Sequence, residues 1–201
     1  MTNKAHKITP LTVCRGFLLL LAVSALLIMA GETRLYSATP MQSVTENEIK
    51  AAYLYRFLLF LSNPRRTPEN DTAFRIAVIG DEEFPRLFEA VSGKPVGQSP
   101  RTLDVVALKE WEHKDLLDNN DILYIPAADA AKTGRIIEML NDAAVLTVSD
   151  ADNFLETGGM IQFVQRGQNI GWAINRAAVR KAGIELSAQL YRNALWVTPG
   201  N

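Results

Sequence analysis

Four short runs of apolar, largely β-branched residues, separated by stretches with helical spacing, constrain this chain more than any other feature. They are Phe74–Ile79 (FRIAVI), Thr102–Leu108, Ile122–Ile125 and Ala144–Val148. A strand that is apolar at nearly every position suits a sheet covered on both faces, which is the parallel arrangement. Asp81 stands where it can cap a helix that sets Phe84, Leu87, Phe88 and Val91 on one face. Trp111–Leu117 reads as a short helix, and Ala128–Asn141 as a longer one with Ile136, Ile137 and Leu140 inward. The alternation predicts a single compact α/β domain: a mostly parallel central sheet with helices on both faces.

The last third changes character. Met160–Val164 and Ile170–Ile174 are two strands joined by Gln165–Asn169, a loop that contains Gly167 and reads as an antiparallel C-terminal hairpin. Asn175 can cap a helix to Lys181, stopped by Gly183, and Ser187 a final helix through Ala194 and Leu195.

Ahead of the first strand lies a helix with its start and stop signals written in. Thr45 and Glu48 form a T-x-x-E capping box, Ile49, Ala52, Tyr53, Phe57, Phe60 and Leu61 follow at helical spacing, and Pro64 ends it. Lys50 and Arg56 break the apolar surface. Four aromatic residues (Tyr53, Tyr55, Phe57, Phe60) exceed what one stripe needs, and Tyr55 and Leu59 fall off the main face with Arg56 beside them. One side of the helix is therefore expected on the sheet. Tyr55, Arg56 and Leu59 are candidates for contact with a second protomer or another protein.

The chain opens with Lys4, Lys7 and Arg15, followed by an apolar run from Phe17 to Ala30. At about 14 residues that run fits a secretory signal better than a membrane span, which needs about 20. Residues 1–38 are read as the signal peptide and 39–201 as the domain. Ala30 and Ala38 both offer a small residue for cleavage, though Ile28 and Tyr36 are poor partners for them; retention as an anchor is the other reading. Cys14, the only cysteine, precedes the apolar run, so residues 39–201 carry no thiol chemistry and no disulfide. The whole chain has net charge −1. Its first 38 residues hold four basic groups and one acid, so the rest carries −4, the wrong sign for a nucleic-acid partner.

Catalysis needs convergent groups, and the sequence offers none of the standard sets. His6 lies in the signal, and His113 stands alone between Glu112 and Lys114 as a surface residue. There is no G-x-S-x-G and no H-E-x-x-H. Gly80-Asp81-Glu82-Glu83 has one glycine and three acids where a dinucleotide fingerprint would sit, and Gly93-Lys94 lacks the rest of a P-loop. Asp150-Ala151-Asp152-Asn153 begins like a calcium loop, but Leu155 and Ile161 occupy the places of its glycine and closing glutamate. No enzyme, cofactor or metal is expected. Trp172 reads as core, Trp111 and Trp196 as partly exposed.

Three pairs stand at strand ends: Ser149-Asp150 after the fourth strand, Gly158-Gly159 before the fifth and Asn175-Arg176 after the sixth. Open α/β sheets bind ligands at strand carboxyl ends, so these residues are candidates for a shared polar cleft that holds a small molecule. The plainer explanation is that they are turn residues, since Ser and Asp cap and Gly-Gly permits positive φ.

The residues also carry a family likeness. EIKAAYLYRFLLFLSNP at 48–64, FRIAVIGDEEF at 74–84, GKPVG at 93–97, DILYIP at 121–126, LTVSDADNFLETGGMIQFV at 146–164 and INRAAVRKAGIELSAQL at 174–190 occur in one order. Together they resemble the YfiR-type periplasmic regulators over about 45–196. The resemblance implies a compact periplasmic α/β domain that forms homodimers and represses an inner-membrane diguanylate cyclase by contacting its periplasmic part. Cyclic-di-GMP output, and with it biofilm behaviour, is thereby controlled. Members of that family often have cysteine pairs in the mature domain; this chain has none, so a redox-sensing role does not carry over. The alternative is a periplasmic small-molecule-binding module without a cyclase partner.

Overall fold

The structure, a computed structural model, describes residues 44–62, 72–109, 112, 115–116, 120–140 and 143–199. The segment expected to be a signal peptide, most of the loop after Pro64, Trp111 and His113 lie outside them.

The first element is helix α1 (Glu46–Leu59). Its capping box is formed on both sides: Glu48 N donates to Thr45 Oγ1 at 3.2 Å, and Thr45 N donates to Glu48 Oε2 at 2.6 Å. The strands are β1 (Leu61–Ser62), β2 (Ala73–Ile79), β3 (Thr102–Leu108), β4 (Ile122–Ile125), β5 (Leu146–Ser149), β6 (Ile161–Arg166), β7 (Asn169–Asn175), β8 (Glu185–Leu186) and β9 (Trp196–Thr198). Helix α2 (Ala130–Leu140) joins β4 to β5, α3 (Arg176–Lys181) follows β7, and α4 (Ala188–Arg192) precedes β9. A 3-10 helix at Phe84–Phe88 lies between β2 and β3.

Seven strands form one sheet in the order β3-β2-β4-β5-β6-β7-β9. The first five are parallel, β7 is antiparallel to β6, and β9 is parallel to β7. β1 and β8 pair separately as a two-stranded antiparallel sheet. The alternation of side chains along each strand sends two sets of residues to opposite faces. One face collects Ile76, Val78, Tyr124, Val148, Ile161, Phe163 and Trp172 under α1, the 3-10 helix, α3 and α4. The other collects Ala77, Ile79, Leu123, Ile125 and Ala173 under Ile136 and Leu140 of α2 and under Phe154 and Leu155. β4 and β5 are buried at every position, as continuous apolar runs in a doubly covered parallel sheet require.

Rings dominate the α1 side. Phe57 lies 5.9 Å from Phe163 and 5.5 Å from Trp172, and Tyr53 lies 5.0 Å from Trp172, the latter two pairs edge to face. Tyr53 also donates its hydroxyl to Ile170 O at 3.2 Å, and Trp172 Nε1 donates to Leu190 O at 3.3 Å.

Four local expectations change. The buried stripe of α1 is Lys50, Ala51, Leu54, Phe57 and Leu58, with Ala52 exposed, so Lys50 joins the inward face rather than interrupting it. The segment after Asp81 is a five-residue 3-10 helix; Asp81 Oδ1 accepts from Glu83 N and Phe84 N at 3.0 Å, and Leu87 remains 39 % exposed. The hairpin is tighter than read. Arg166 pairs with Asn169, leaving the two-residue turn Gly167-Gln168, with Gly167 at φ +59 in the first central position as a II′ turn asks. The last helix stops at Arg192, and Leu195 N donates to Trp172 O at 2.8 Å, leading the chain into β9.

Phe57 is fully buried in the ring cluster that joins α1 to the sheet. Phe57→Ala is expected to lower unfolding free energy by about 3–5 kcal/mol, read as a lower urea midpoint at unchanged slope.

Candidate functional site

The chain runs from β2 outward to β3, then returns across β2 to start β4. The carboxyl ends of β2 and β4 therefore form the topological switch point of the sheet, where crevices open in such folds. Asp81 follows β2, Ala127 follows β4 and Asp150 follows β5, while the first turns of α1 roof the gap.

Lys50 descends from α1 into this place. Its side chain is 6 % exposed, and Nζ lies 2.5 Å from Asp150 Oδ2 and 2.5 Å from Glu46 Oε1. The other Asp150 oxygen accepts from Ala127 N at 2.6 Å. Tyr124 stands under the same carboxylate. Its hydroxyl is held protonated far above the ordinary phenol range, first by burial and then by the charge and hydrogen bond of Asp150. Burial by itself would lower the Lys50 pKa. Hydrogen bonds and charge attraction from Asp150 and Glu46 outweigh it, so the ammonium titrates above the usual lysine value. Ser149, fully buried, donates Oγ to Ile125 O at 2.6 Å and accepts from Ala151 N at 3.0 Å, tying β4 to β5.

A protonated amine bound to two carboxylates and a protonated phenol are poor nucleophiles and poor bases. The arrangement suits holding α1 in position. Sequence reasoning placed Asp150 here but missed Lys50, Glu46 and Tyr124. The available signal was a lysine in line with Leu54, Phe57 and Leu58, one and two turns along an otherwise apolar stripe.

The nine residues singled out from the sequence occupy three places. Ser149 and Asp150 are at the carboxyl edge of the sheet. Gly158 and Asn175 are toward the opposite edge, because β6 runs in the same direction as β5 and so is entered from the amino side, and β7 runs back toward that side. These two line a cleft of about 400 Å³ between the C-terminal half of α2, Thr147, Met160 and α3. Asn175 caps α3 by accepting from Ala178 N at 3.1 Å, and its Nδ2 donates to Leu155 O at 3.0 Å. Gly159 is covered by Phe154, whose ring a Cβ would overlap. Arg176 points outward, its guanidinium 4.9 Å from the Tyr191 ring centre. The third place is the outer side of α1. Tyr55 is half-buried against the core, Arg56 is exposed with its guanidinium 5.7 Å from the Phe60 ring centre, and Leu59 is 45 % exposed. Among the described residues, no three His, Cys, Asp or Glu side chains are grouped to hold a metal ion, and no helix is long and apolar enough to cross a membrane.

These features define a doubly wound α/β domain in which one buried ion pair, Lys50 with Asp150, attaches a helix to the sheet. The chain belongs to the YfiR/HmsC-like family, whose model matches residues 47–194. Members of this family are periplasmic regulators rather than enzymes, and they act with membrane diguanylate cyclases. Among solved structures, a conserved domain protein from Vibrio cholerae O1 biovar eltor strain N16961 is similar in fold. Its TM-score is 0.50 at 12 % identity, over 77 % of this chain and 60 % of the other. No curated protein matches the chain.

Removing the Lys50 amine leaves Asp150 half-partnered beneath α1, so Lys50→Met is expected to cost about 3 kcal/mol of unfolding free energy in urea titrations. Folding raises the Lys50 pKa, so its contribution is complete below the ordinary lysine value of 10.5 and fades as pH rises through the higher folded value. Wild type should lose stability along this alkaline limb, and Lys50→Met should lose less over the same range. Gly159→Ala is expected to cost about 1–3 kcal/mol from the clash with Phe154, measured the same way.

Proposed function

We propose that this chain is an exported periplasmic regulatory protein that binds and represses an inner-membrane diguanylate cyclase through the cyclase's periplasmic part. It works as a homodimer, lowers cyclic-di-GMP output, and catalyses no reaction. The observation that carries this reading is the family match over 47–194, which takes in nearly every described element. The surface it favours for contact is the outer side of α1, where Arg56 and Leu59 stand exposed beside half-buried Tyr55 on a helix whose inner side is fully used. Arginine and tyrosine are residue types enriched at interfaces, and Leu59 adds exposed apolar area beside them.

A periplasmic small-molecule-binding module without a cyclase partner is the second reading. The cleft beside Gly158 and Asn175 favours it.

Deleting the gene should raise cellular cyclic-di-GMP, and restoring wild type should reverse the rise. Leu59→Asp should fold with an unchanged thermal midpoint yet restore repression poorly. Loss of a central interface anchor worth about 2 kcal/mol weakens association roughly 30-fold. An unchanged cyclic-di-GMP level in the deletion strain would rule the reading out.

A further inference from the structure

The cleft at the amino edge of the sheet has a chemistry that selects its occupant. Ile137, Leu140 and Met160 form its apolar walls, and Ala177, Ala178 and Ala182 leave the space open by being small. Among the described residues no aromatic side chain lines it. At about 400 Å³ it falls within the range of small-molecule sites.

One polar group inside has unused capacity. Thr147 is 1 % exposed and lines the cleft. Its Oγ1 accepts from Met160 N at 3.1 Å, and no described residue accepts the hydroxyl's own proton. A buried donor without an acceptor is unfavourable, so the position calls for an oxygen from outside the chain. Glu138 and Lys181, one of each sign, are the only charged residues among the described lining, so the described lining offers a charged ligand no net attraction. Burying a carboxylate against a single hydroxyl would also leave most of its lost hydration uncompensated.

We infer that the cleft binds an uncharged aliphatic acyl compound, its carbonyl oxygen accepting the Thr147 Oγ1 proton and its alkyl chain lying along Ile137, Leu140 and Met160. The inference rests on the ligand-binding reading and adds the chemical class. It does not depend on a cyclase partner.

The test uses the full chain and three probes of matched chain length: hexanamide, hexanoate and hexylamine. Binding is read from backbone NMR shifts and thermal midpoints. Hexanamide should bind best and shift Thr147, Met160 and Ala178. Thr147→Val should weaken it by about fivefold, the factor for one neutral hydrogen bond, and Thr147→Ser should restore it. Ala177→Leu fills the cleft and should abolish binding with the midpoint retained; Ala178→Leu serves as a second filler if that variant misfolds. Hexanoate or hexylamine binding more tightly than hexanamide, and still blocked by the filler, would keep the cleft as a ligand site and overturn the acyl assignment. Binding of hexanamide that neither filler blocks, or failure of every probe to shift cleft residues, would overturn the site itself.

Discussion

An ammonium group taken out of water is stable only where carboxylates replace the water, and α1 is seated on the sheet by that requirement. Lys50 has no other way to be buried than over Asp150, so the pair fixes both how far the helix lies along the sheet and how it is turned about its axis. Turning it by one residue would carry Lys50 away from Asp150 and bring Ile49 or Ala51, neither able to pair with it, over the carboxylate. The ring cluster of Tyr53, Phe57, Phe163 and Trp172 supplies the larger share of attraction, because buried area scales with the rings and the ion pair largely offsets its own desolvation. Rings, however, tolerate small rotations that the ion pair does not. Attraction and orientation come from different residues on the same helix.

The topology then decides what lies at each edge of the sheet. Five parallel strands place every β-to-α exit on one side, where Asp81, Ala127 and Asp150 gather beneath α1. The β6–β7 hairpin reverses direction and returns Asn175 to the other side. The crowded, charged edge is closed by the chain's own helix, and the open edge is the quieter one, walled by alanine, leucine, isoleucine and methionine.

The strands of the parallel sheet could be read from sequence because β4 and β5 are buried on both faces, so charged residues are kept out and the two polar ones, Thr147 and Ser149, are small and hydrogen-bonded. The cap at Thr45 and Glu48 and the cap at Asn175 were equally legible, since both depend on contacts within one turn. β1, β8 and β9 were not, because two or three residues are too few to show a period of two, and their pairing partners lie far off in sequence. Lys50 was misjudged for the same reason: its burial is justified by Asp150, one hundred residues away, and no local pattern announces it. The strand-end residues were recognised as a group, but their division between the two edges follows from strand direction, which periodicity does not encode.

β9 closes the sheet with three residues, Trp196 to Thr198, paired to Ala173, Ile174 and Asn175. Without it, β7 would be an edge strand, its row of N–H and C=O groups open along a buried apolar segment. The cover over the buried end of β7 is thus a single short pairing, which makes β9 rather than β7 the edge there. Local opening of so short a pairing would uncover that row of groups without unfolding the core, so colloidal behaviour and global stability would then depend on different residues.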